Sequence, residues 1–132
     1  VQAEDLFMVR THLSFPEAMV VLQESIGEQG YTLSRVQRVD IGLTSFGYET
    51  DKYRLVFFGK LDEVRKIADQ YPELVPYVPL KIAIFAEDQD TILLSSSFSH
   101  LRPFYASSTL QADFDRWEND VTAILERVRL AQ

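Results

Sequence analysis

Apolar residues recur along this chain in two spacings, and the switches between them mark out its elements. Over residues 5–13 (DLFMVRTHL), Phe7, Val9, Thr11 and Leu13 fall on one side and Leu6, Met8, Arg10 and His12 on the other. That alternation predicts a strand. The spacing then lengthens: Ala18, Val21, Leu22, Ser25 and Ile26 share one face of a helix. Ser14 and Glu17 are placed for a capping box, Pro16 lies in the first turn, where its missing N–H costs nothing, and Gly30 offers a left-handed stop. Residues 31–41 read as an extended segment, polar enough that one face meets solvent or another subunit. Gly42 to Lys52 carries the breakers Gly42, Gly47 and Asp51 and is expected to be a flexible loop.

The second half repeats the switch. Residues 53–58 (YRLVFF) are nearly all apolar, as in a strand at the centre of a sheet, and Gly59 ends them. Leu61, Val64, Ile67, Ala68 and Tyr71 mark a second helix stopped by Pro72. Pro76 and Pro79 bracket a stiff approach to a fourth strand, KIAIFA. Asp88-Gln89-Asp90 turns it into a fifth, TILLSSSF, giving a hairpin. Residues 99–107 are irregular. Ser108 and Gln111 predict a second capping box before a long helix at about 109–129, striped by Leu110, Phe114, Trp117, Val121, Ile124 and Val128. Acidic residues near its start and Arg127 and Arg129 near its end complement the helix dipole.

The order β-α-β-β-α-β-β-α predicts an α+β fold: a two-layer α/β sandwich with a mostly antiparallel five-stranded sheet and helices packed on one face. The length, 132 residues, fits a single domain over 1–132 ending in an amphipathic helix at 108–130. With 46% hydrophobic residues the chain can build a core without staples. It has no cysteine, which excludes disulfides, thiolate metal sites and a cysteine nucleophile. A net charge of −7 without a basic cluster argues against nucleic acid and anionic membrane surfaces. No apolar run is long enough for a membrane span. Val1-Gln2-Ala3 before Glu4-Asp5 is similar to the end of a secretory signal, so export to the periplasm and residence in the cytoplasm are both expected possibilities.

A distributed pattern over about residues 12–100 resembles the domain-of-unknown-function 302 (DUF302) family. It consists of Gly30-Tyr31-Thr32-Leu33 after the first helix, Val39-Asp40 closing the second strand and Phe58-Gly59 closing the third. Pro79-Leu80-Lys81-Ile82-Ala83-Ile84 with the acidic turn Glu87-Asp88 follows. The chain departs from the family pattern at Ile41, where a histidine is common, and at Gln89-Asp90, where a glycine is common. The resemblance implies a small α/β fold, often dimeric, with some members similar to exported proteins of redox metabolism. It implies no general activity and identifies no cofactor.

Candidate chemistry is sparse. His12 and His100 are the two histidines, and with Arg102 and Tyr105 they are the polar contacts of a small-ligand or haem carrier with a pocket between sheet and helices. The same loop residues also fit a connector in which Leu101, Phe104 and Tyr105 seal the core edge. Asp40 is either a turn cap or, with His100, half of an acid/base pair in a small enzyme. Ser95-Ser96-Ser97 lacks the surroundings of a nucleophile and fits close packing against a helix or twin subunit. Nine Phe and six Tyr exceed what one small core needs. The surplus suits an apolar pocket or a subunit interface, and equally an aromatic core with amphipathic Tyr at its edge. The leading expectation is a non-catalytic, homodimeric binding or accessory module, with a small apolar or anionic ligand as a possible partner.

Overall fold

The computed structural model describes residues 6–39, 46–47, 52–77, 80–105 and 109–132. Strands β1 (Leu6–Thr11), β2 (Thr32–Arg38), β3 (Tyr53–Gly59), β4 (Leu80–Glu87) and β5 (Asp90–Ser96) form one sheet in the order β1-β5-β4-β3-β2. Every neighbouring pair is antiparallel. Helices α1 (Phe15–Glu28), α2 (Leu61–Gln70) and α3 (Leu110–Leu130) complete the α+β fold, with short 3-10 turns at Pro72–Tyr77 and Arg102–Tyr105. The apolar strand β3 is interior, but the centre belongs to β4. The two-residue turn Asp88-Gln89, with Asp88 at φ 55°, fixes β5 against one edge of β4, and β3 takes the other. The expected loop between β2 and β3 lies outside the described residues, apart from its ends and Phe46-Gly47.

Local chemistry explains most element ends. The Ser14 hydroxyl accepts from the Glu17 amide while the Glu17 carboxylate accepts from the Ser14 amide, closing the capping box of α1. Gly30 follows the helix at φ 85°, a conformation that disfavours a side chain. Pro72 ends α2 by withholding an amide hydrogen. The start of α3 differs from its expected box. Thr109 is the N-cap and makes no side-chain cap bond, and Gln111 instead donates to the carbonyls of Arg102 and Tyr105. Ser108 lies outside the described residues.

Because side chains alternate across a strand, the register sorts them into two faces. Phe7 and Val9 of β1, Val56 and Phe58 of β3, Leu80, Ile82 and Ile84 of β4 and Leu93 of β5 point toward the helices. There they share a core with Leu22 and Ile26 of α1, Ile67 of α2 and Phe114, Trp117, Val121 and Ile124 of α3. The opposite face carries Leu6 and Met8 of β1, Ile92 and Leu94 of β5, Ala83 and Phe85 of β4 and Tyr53, Leu55 and Phe57 of β3. Among the described residues no helix covers this outer face. Even so, Ile92 and Ala83 on this face are only 3% and 7% exposed.

Candidate functional site

The residues singled out from the sequence fall in different places. His12 stands at the hairpin end of the sheet, its Nδ1 2.7 Å from Asp90 Oδ1. Arg10 donates to the other Asp90 oxygen at 3.0 Å and to Glu87 at 2.7 Å. The His12 side chain is otherwise almost fully in solvent. Asp90 is held below the ordinary carboxylate range, first by the His12 ring and then by Arg10. His100 follows β5 at the opposite end, because β1 and β5 run antiparallel from Thr11↔Thr91 to Leu6↔Ser96. Those five residue steps, at about 3.3 Å each, set the two strand ends on the order of 17 Å apart, and each histidine follows a different one. Asp40 lies outside the described residues. Among the described residues no three His, Asp or Glu side chains gather closely enough to hold a metal ion.

Arg102 and Tyr105 are engaged in fastening their loop to the helix layer. Arg102 donates to Glu118 at 2.8 Å and reaches Asp115 at 2.8 Å, and its guanidinium lies 5.7 Å from the Phe114 ring centre. Burial works against the Arg102 charge, but Glu118 and Asp115 outweigh it and hold its pKa above the ordinary value. The second Glu118 oxygen accepts from the Phe98 amide at 2.6 Å. Phe98 stacks on Phe114 at 5.0 Å and leans on Trp117 at 5.4 Å. Tyr105 donates to Glu73 at 2.7 Å and meets Tyr71 edge-on. Leu101 is buried, whereas Phe104 is 81% exposed.

The concave feature nearest to His100 arises where the sheet comes apart. The β4–β5 ladder stops at Ala83↔Leu94. Beyond that point β4 stays paired to β3 as far as Leu80, and β5 stays paired to β1 as far as Ser96. The two halves diverge around a cleft of about 210 Å³ lined by Phe7, Phe57, Leu80, Lys81, Ser95, Ser96, Ser97, Phe98, His100, Glu118 and Val121. The Ser95 hydroxyl donates across the gap to the Lys81 carbonyl at 2.7 Å, taking over where the ladder has ended. Ser97 bonds Ser99 at 3.1 Å. Lys81 has no carboxylate partner among the described residues. The serine run was the sequence signal for this place. It points to small, polar walls but not to a parting, because Lys81 and Glu118 reach the cleft from other elements.

Three comparisons set these features in context. The family model described as "Domain of unknown function DUF302" matches residues 7–128. No curated protein matches significantly. Among solved structures, the crystal structure of an uncharacterized conserved DUF302 protein from Bacillus stearothermophilus is similar at a TM-score of 0.79. The sequences are 17% identical, and the alignment covers 94% of this chain and 98% of that one. At that identity the likeness shows the fold alone, and the family match carries the assignment: the chain belongs to the DUF302 family.

Proposed function

We propose that this chain is a non-catalytic, homodimeric binding or accessory module whose two copies pack outer sheet face against outer sheet face. One observation carries the reading: the outer face is apolar, and among the described residues no helix covers it. An antiparallel sheet with one wet face alternates apolar and polar residues, whereas β4 and β5 are apolar on both sides in the manner of doubly covered strands. Met8 and Leu6 stand 66% and 49% exposed at the margin, and Tyr53 stacks on Phe85 at 5.0 Å within the patch.

Charge favours a second copy as the occupant. The chain carries −7 overall, so two copies repel across most of their surfaces. The outer face is the exception, holding Arg10, Arg35 and Lys81 against Glu87 and Asp90. Two sheets stacked this way would pack about 10 Å apart with their apolar side chains interdigitated. Sedimentation equilibrium of the purified protein should give twice the 15.2 kDa chain mass. Leu94→Asp should return it to the single-chain mass with its helical circular dichroism intact. A parent protein that is monomeric at all concentrations would overturn the reading, and so would a Leu94→Asp variant that is folded and still dimeric.

A second reading, a carrier of a small ligand, is supported by the cleft between the parted strands. Its test is whether any ring-sized molecule perturbs the amide resonances of residues 95–98.

A further inference from the structure

From the walls of the cleft between β4 and β5 we infer the class of ligand it takes: a single-ring aromatic carboxylate, or an acid of like size and shape. This rests on the carrier reading and adds the chemistry of the occupant. Size sets the first limit. An apolar cavity of about 150 Å³ accepts one benzene ring. At about 210 Å³ the cleft has room for such a ring and a small polar group beside it. The rings of Phe7, Phe57 and Phe98 with Leu80 and Val121 supply apolar walls for the flat part.

Charge decides the polar group. Glu118 is the acid on the floor, but one of its oxygens takes Arg102 and the other the Phe98 amide. It is therefore occupied, and its charge is balanced within the protein. Lys81 is the cation on the wall and has no carboxylate partner among the described residues. Arg35 stands two strands away, stacked over Phe57 at 4.5 Å, and adds to the positive potential on that side. Ser96, on the opposing strand, also lines the cleft and offers a hydroxyl donor. A carboxylate here would meet an ammonium and a hydroxyl, whereas an amine would meet an uncompensated Lys81.

The probes are benzoate and its neutral counterpart benzyl alcohol. Each is titrated through the millimolar range into the isotope-labelled protein and followed at the amides of Ser95, Ser96, Ser97 and Phe98. Benzoate is expected to shift these resonances and to bind about tenfold more tightly than benzyl alcohol, as a charge-assisted hydrogen bond would give. Lys81→Met should remove that preference without changing benzyl alcohol binding, and Ser96→Leu, which fills the cleft, should abolish both. Equal binding of the two probes would leave a carrier but overturn the acid as its ligand. No shift from either probe would overturn the carrier reading and the inference together.

Discussion

Asp90 joins two elements with one carboxylate, since His12 takes one oxygen and Arg10 the other. Its pKa is depressed, so its contribution to stability is present above the ordinary Asp range and disappears as pH falls through the lowered value. Asp90→Asn should therefore melt below the parent at neutral pH, and the two melting curves should converge on acidification; the pair is exposed, so the gap will be small. Ser14 and Gly30 act on the backbone itself. Ser14→Ala removes the acceptor for the Glu17 amide and should cost about 1 kcal/mol in chemical denaturation. At Gly30 an added Cβ would meet only the Lys60 side chain at ordinary contact distance, so space is not the obstacle. The positive φ is, and Gly30→Ala should cost on the order of 1–2 kcal/mol by the same measurement. Ser14 and Gly30 sit in short local motifs, which is why they could be read from the sequence. The Asp90 pairing needs β1 beside β5, which no spacing announces.

Helix α3 supplies most of the core opposite the sheet. Its stripe Leu110, Phe114, Trp117, Val121, Ile124 and Val128 is buried throughout. Phe114→Ala removes a ring stacked on Phe98 and met edge-on by Tyr105, and should cost about 3–5 kcal/mol. The polar side of the same helix has a separate task. Glu118 ties down the loop after β5, and Arg116 and Trp117 both bond Glu63, joining α3 to α2. Glu118→Ala would leave the Phe98 amide and the Arg102 guanidinium without that acceptor, at a cost of about 1–3 kcal/mol. Hydrogen exchange should quicken at residues 98–102 before it quickens in β4. The helix and its apolar stripe follow from three- and four-residue spacing alone. The use of Glu118 as a loop fastener does not, because its partners lie 16 and 20 positions away in the chain.

At the scale of the molecule, the unusual property is a sheet that is apolar on both faces while the described helices occupy one. If the outer face is closed by a second copy, folding and association are linked and the melting temperature should rise with protein concentration. Scanning calorimetry over a wide concentration range would detect this. Leu94→Asp, placed at the middle of the face opposite Met8 and Ala83, should make the melting temperature independent of concentration. A melting temperature that never depends on concentration in the parent would speak against linked association.

The surplus of aromatic residues is legible in the composition, and here its members divide. Phe58, Phe98, Phe114 and Trp117 enter the helix-side core, whereas Tyr53, Phe57 and Phe85 lie on the outer face. By itself the sequence determined the elements, the hairpin turn, the capped start of α1 and the α+β class, because periodicity, proline, glycine and capping chemistry act within a few residues. Tertiary structure alone decided that β4 holds the centre, that β4 and β5 part beyond Ala83 and Leu94, and that His12 and His100 stand at opposite ends. Those outcomes depend on which strand pairs with which, and pairing is a contest among edges that are far apart in the chain and similar in hydrophobicity.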